Sequence, residues 1–191
     1  MLELLMLTAI VSTSGRQVAP KENFETCLSP FIGGVLAGQS VDKELVKLLG
    51  KGLEVNDDVG HARIYANKDA TKFLVARMET DDIVFEMEIA SSIEYIFPER
   101  IAQNKAVDIP KIVDFPPETN VYLLQDVHFG SSVEFVIGIL GKPSNTETNQ
   151  GKNGETLLEY RSKCSCELPA GLSFKFMNGK LVSINYWAAS G

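Results

Sequence analysis

The sequence predicts an α+β fold built from two tandem helix-plus-three-stranded antiparallel sheet units. Three observations carry that reading. The stretches "GQSVDKELVKLLGKG" (residues 38–52) and "GSSVEFVIGILGKPS" (residues 130–144) begin alike, with Gly, then Ser-Val and an acidic residue, and both run into Leu-Gly-Lys. Each is followed by three segments that alternate with the period of a strand, "HARIYANK", "KFLVARM" and "DIVFEMEIA" after the first, "ETLLEYRS", "GLSFKFMN" and "KLVSINYW" after the second. The Leu-Gly-Lys anchors start at Leu49 and Leu140, 91 positions apart, and the first-strand tyrosines, Tyr65 and Tyr160, are 95 apart. A duplication with an enlarged second loop, "NTETNQGKNG", produces that offset.

Composition allows such a fold and removes some functions. The chain has 191 residues, enough for one ordinary domain or two small ones, and 45% of them are hydrophobic, so a sizeable core can form. The net charge of −7 and a pI near 4.9 argue against nucleic-acid binding, which depends on Lys and Arg neutralising phosphates. An acidic chain favours solubility and a basic partner.

In chain order, residues 1–20 read as an export signal or a disordered N-terminus. Residues 4–11 are apolar and small residues follow, but Glu3 stands where a positive n-region belongs; the other reading is a first strand or helix of the domain. The run is too short to cross a bilayer as a helix, and no membrane insertion is expected. Cys27 comes too late for lipid attachment, so a lipoprotein is not expected.

The first unit spans 24–92. Residues 24–38 lead in as a helix or a turn. Val41, Leu45, Leu48 and Leu49 form one helical stripe, Ser40 is the expected N-cap, and Gly50 suits the left-handed position after the helix. Asp81-Asp82 and Asn56-Asp57-Asp58 read as turns; the second lacks the spaced ligands of a calcium loop. Residues 93–120 form a Pro-rich connector, extended except for a brief helix at 100–106. The second unit spans 121–191. Val133, Val136, Ile137 and Leu140 make its stripe, Ser131 with Glu134 a capping box, and Gly141 with Pro143 the stop. Asn178-Gly179 is a tight-turn signal.

Alternation then assigns faces. In the second unit Leu158, Tyr160, Leu172, Phe174, Phe176, Val182, Ile184 and Tyr186 are expected toward the helix, with Glu159, Arg161, Ser173, Lys175, Ser183, Asn185 and Trp187 opposite. In the first, Ile64, Leu74, Ala76, Met78, Ile83, Phe85, Met87 and Ile89 form the apolar set, and Arg63, Tyr65, Val75, Arg77, Val84, Glu86 and Glu88 the mixed one. Helices on one face and charge with scattered aromatics on the other make an antiparallel layer.

No catalytic constellation stands out. There is no phosphate loop, no Gly-x-Ser-x-Gly and no His-Glu-x-x-His. Asp126 and His128 read as a surface polar pair, and His61 as a solvated strand end. A nucleophilic pair of His128 with Cys164 or Cys166 has no local support. Cys27 can bridge to Cys164 or Cys166 in an oxidising compartment, or all three remain thiols; the one-residue gap between Cys164 and Cys166 disfavours a bridge there. No metal site and no cofactor are expected.

The Gly-Ser-Ser-Val-Glu helix, the Leu-Gly-Lys-Pro stop, the Tyr-bearing strand and the closing "FKFMNGKLVSINYW" hairpin together resemble the helix-plus-hairpin units of the β-lactamase inhibitor protein family. They are similar also to the related small lipoproteins of outer-membrane assembly. The resemblance covers mainly residues 130–187, with an echo at 38–89. It implies two units whose sheets join into one concave surface, and proteins that bind other proteins and do no chemistry.

The sequence thus leads to a non-catalytic protein-binding module, secreted or periplasmic, else cytoplasmic, that meets a protein partner through an exposed sheet face. The residues expected to carry it are Trp187, Arg161, Lys175, Asn185, Tyr65, Arg63 and Arg77. Trp187 either anchors the partner or caps the core. The rival expectation is a small-ligand carrier or enzyme with a pocket between the two units.

Overall fold

A computed structural model describes residues 31–32, 34–56, 60–79, 81–96, 109–111, 126–149, 154–162 and 169–188. The expectations for residues 1–20, for the 100–106 helix, for Asp57-Asp58 and for Cys27, Cys164 and Cys166 lie outside the described residues.

A two-residue hairpin, β1 (Phe31–Ile32) with β2 (Val35–Leu36), leads into α1 (Asp42–Leu49). Four strands follow: β3 (Leu53–Asn56), β4 (His61–Ala66), β5 (Phe73–Met78) and β6 (Val84–Ala90), then a 3₁₀ turn at Ile93–Tyr95. After the connector come α2 (Val133–Leu140), β7 (Asn145–Asn149), β8 (Glu155–Arg161), β9 (Ala170–Met177) and β10 (Lys180–Ala188). The fold is α+β and mostly sheet: one antiparallel sheet of eight strands in the order β3-β4-β5-β6-β10-β9-β8-β7. Four strands therefore follow each helix, which corrects the expected three. β3 and β7 are the edges. β7 reads as loop because "NTETN" is polar throughout and all five residues are exposed; its extended form comes from pairing with β8, with Glu147 opposite Leu157.

The two helices are only eight residues long, too short to persist alone, so the sheet must hold them. The same set of local bonds does so at both. Ser40 Oγ accepts from Leu36 N at 3.2 Å and Ser131 Oγ from His128 N at 3.2 Å. Val84 N donates to Ser40 O at 2.8 Å and Leu181 N to Ser131 O at 2.9 Å. Gly50 and Gly141 end the helices with φ of 85° and 81° and nearly extended ψ, a region open essentially to glycine. Tyr65 Oη donates to Gly50 O at 2.9 Å, and Tyr160 Oη to Gly141 O at 3.1 Å. The serines thus tie the preceding turns, and the N-caps move one residue on. Val41 caps α1, its N–H bonded by the Glu44 carboxylate, and Ser132 caps α2 by accepting from Phe135 N. That corrects Ser40 as cap and Ser131 with Glu134 as capping box.

Both helices pack on one sheet face. Leu45 of α1 and Val136 and Leu140 of α2 meet Tyr65, Leu74, Met78, Met87, Tyr160, Phe174, Phe176, Ile184 and Tyr186 in one core. Full burial of each such side chain contributes about 1.5–3 kcal/mol. The face assignment of the second unit holds except at Val182, where a register shift between Leu181 and Ser183 brings Leu181 into the core instead. In the first unit β4 is inverted. Tyr65 and Arg63 lie on the helix side and Ile64 on the other. Alternation misassigned β4 because both of its faces are covered, so an apolar side chain no longer marks the core side. Val84 likewise joins the helix-side core after a register shift between Arg77 and Met78.

Candidate functional site

The face opposite the helices divides into two regions. Over β4, β5 and β6 it is apolar: Ala62, Ile64, Ala66, Phe73, Val75 and Ala90 are buried. The start and the later part of the connector cover it, through Ile93, Tyr95, Ile96 and Ile109. Hydrogen bonds to its backbone secure that cover. Ala66 N donates to Pro110 O at 3.0 Å, Ala66 pairs in parallel with Lys111, and Lys175 Nζ reaches Tyr95 O at 3.3 Å.

Over β10, β9 and β8, and at Arg77 of β5 and Glu86 and Glu88 of β6, the same face is polar. Cross-strand partners line up in a row, Arg77 with Glu86, Glu86 with Trp187, Trp187 with Gly171, and Gly171 with Arg161. A second row runs Glu88, Asn185, Ser173, Glu159. Trp187, half-buried, lies over Gly171: a Cβ there would sit 2.6 Å from Trp187 Cζ2 and 2.7 Å from the Tyr160 carbonyl oxygen. Gly171 is therefore required by close approach of the indole and of the neighbouring strand, and its backbone conformation is ordinary.

Charges flank the indole in bonded sets. Arg77 Nη1 donates to Glu86 Oε1 at 2.8 Å and lies 3.5 Å from Glu88 Oε2, and Ser183 Oγ donates to Glu88 Oε1. Arg77, Glu88 and Ser183 are buried. Arg161 Nε donates to Glu159 Oε1 at 3.0 Å, and that bond pushes the Arg161 guanidinium further up. Lys175 Nζ lies 3.8 Å from Glu155 Oε1. Asn185 Oδ1 is buried and accepts no hydrogen bond among the described residues. Beyond the second row, Glu147, Thr148, Asn149, Glu155 and Leu157 line a shallow depression of about 340 Å³.

Five of the seven residues singled out in the sequence, Trp187, Arg161, Lys175, Asn185 and Arg77, stand together on this face. Arg63 and Tyr65 do not. The Arg63 guanidinium binds both Asp42 carboxylate oxygens, at 2.5 and 2.7 Å, and donates to Lys51 O at 2.7 Å, joining β4 to α1. That hydrogen bond holds the Asp42 carboxyl below its ordinary range and raises the guanidinium. Tyr65 is fully buried, and burial pushes its hydroxyl up to about 12; burial moves Tyr160 in the same direction. Sequence reasoning missed Gly171, Glu86 and Glu159. A glycine inside a strand was the available signal for the first; the carboxylates become neighbours of Trp187 only once β6, β10, β9 and β8 are laid side by side.

Elsewhere, His128 is exposed in the turn before α2, with Nδ1 3.0 Å from the Asp126 carbonyl oxygen. His61 is half-buried, its Nε2 3.2 Å from Glu54 Oε1, and is not a solvated strand end. β6 and β10 pair directly over five residues, so the halves meet through a continuous sheet. Among the described residues no helix is long and apolar enough to cross a membrane. No family model, curated protein or solved structure matches the chain.

Proposed function

We propose that this is a non-catalytic protein-recognition module of the cell envelope or secreted space, built from two tandem copies of a helix followed by four strands. The recurring bonds at α1 and α2, down to Tyr65 with Gly50 and Tyr160 with Gly141, support the duplication. So does the mirrored strand order, in which β6 and β10 meet at the centre and β3 and β7 lie at the edges. The arrangement is the one implied by likeness to the β-lactamase inhibitor protein family.

The observation that carries the functional reading is Trp187 laid over Gly171 among bonded charges, on the face opposite α1 and α2. A large, rigid aromatic ringed by polar groups is the anatomy of a binding hot spot, where truncation costs about 2 kcal/mol or more. The connector already occupies the first half of that face, so the partner meets β10, β9 and β8. Arg161 and Glu159 at the rim set orientation and association rate. Affinity capture with the parent chain, Trp187→Ala and Arg161→Glu tests this. A partner retained by the parent and lost or weakened at least tenfold by Trp187→Ala is expected. Undiminished capture by both variants discards the face.

A further inference from the structure

Resting on that reading, we propose that the partner presents a basic extended segment, with an arginine or lysine side chain laid over Trp187. The indole lies against the Gly171 backbone and is half-buried, so part of it stays open to a cation. The surrounding charge has the matching sign. Glu86, Glu155 and Glu159 share the face with Trp187, and Glu147 stands on it through its pairing with Leu157. Five carboxylates of this face, Glu86, Glu88, Glu147, Glu155 and Glu159, stand against three cations, and each cation is paired: Arg77 with Glu86 and Glu88, Arg161 with Glu159, and Lys175 with Glu155 and the Tyr95 carbonyl, so the face keeps a negative excess. The depression lined by Glu147, Glu155 and Leu157 lies two to three strands from Trp187 and, along β8, four to six residues from Arg161 in the Trp187 row, about 20 Å away in all and so within the span of an extended hexapeptide. A net charge of −7 adds a long-range pull on a basic partner. An acidic segment would meet these carboxylates with no free cation among the residues just named to receive it.

Trp187 is the only tryptophan, so its fluorescence reports this site alone. Titration with hexa-arginine amide at low ionic strength is expected to change the emission saturably. Hexaglutamate and a Gly-Ser hexapeptide are expected to leave it unchanged, and added salt to weaken the arginine response. In calorimetry, Trp187→Leu is expected to weaken hexa-arginine binding about three- to thirtyfold, the range of a cation over an indole. The double variant Glu147→Gln/Glu155→Gln, which leaves the core untouched, is expected to weaken it also with an unchanged melting temperature. No saturable response, an equal response to hexaglutamate, or unaltered affinity in both variants overturns the proposal. The proposal and the face beneath it fail differently. An acidic partner captured by the parent but not by Trp187→Ala sinks the basic segment and keeps the face, whereas capture indifferent to Trp187 sinks both.

Discussion

The two helix–sheet junctions solve one problem in opposite ways. At α1 an ion pair between half-buried Asp42 and buried Arg63 joins helix to strand. At α2 the positions aligned through the Leu-Gly-Lys anchors and the tyrosines are Val133, packed against the apolar core, and Leu158, within it. The opposite sheet face shows a second inversion. In the β5–β6 pair the large residue is Phe73 and the small one Ala90; in the aligned β9–β10 pair the small residue is Gly171 and the large one Trp187. One backbone thus accepts a charged or an apolar joint, and a large side chain on either strand, provided each pair stays complementary. Interiors are close-packed and punish an unpaired charge, so partners must change together.

The largest effect is expected from separating the ion pair. Arg63→Met leaves the half-buried Asp42 carboxylate without its partner and should destabilise by about 2–3 kcal/mol. The double variant Asp42→Val/Arg63→Leu, which copies the other junction, should return to within about 1 kcal/mol of the parent. Urea melts of the three proteins decide it, and a double variant no better than the single breaks the comparison. The same melts against pH sharpen it. The folded Asp42 carboxyl titrates below its ordinary value of about 3.9. Its contribution is complete above that value and is lost as pH falls through the lowered one. The parent should lose stability across that acid range more steeply than the double variant.

Next comes the swap on the other face. Gly171→Phe alone overpacks against Trp187 and should destabilise by about 1–3 kcal/mol. Adding Trp187→Ala removes the clash with the indole but leaves the one with the Tyr160 carbonyl oxygen, so it should recover only part of that loss in thermal melts. The smallest effect separates the tyrosines. Tyr160→Phe strips the bond from Gly141, which is buried, and should lose about 1–2 kcal/mol; Tyr65→Phe strips it from exposed Gly50, which water can satisfy, and should lose about 0.5–1 kcal/mol. Equal losses would mean that the two carbonyls are equally accessible.

Much of this was legible in the residues because local chemistry decided it. The apolar stripe of α2, Leu45 and Leu49 of α1 (Leu48 of the expected stripe is exposed, and Val41 caps the helix), the glycines that end both helices, the six alternating strands and the Asn178-Gly179 turn each declare themselves within a few residues. The α+β class and five residues of the candidate face follow from those alone. The edge strands β3 and β7 do not, since "NTETN" is extended only because β8 offers it a ladder. Nor does the orientation of β4, where Ile64 and Tyr65 are both buried, so hydrophobicity no longer distinguishes the two sides.

What the sequence by itself determined is therefore the two helices and the six alternating strands, which depend on periodicity and on glycine at positive φ. Only the tertiary structure decided that β6 joins β10, that the connector covers the apolar half of the open face, and that Glu86, Trp187, Gly171 and Arg161 fall in one row. Those facts join residues as much as 101 positions apart, such as Glu86 and Trp187. Strand pairing carries no local signal: any exposed edge satisfies the same backbone donors and acceptors, and the choice among edges is made by packing over the whole sheet.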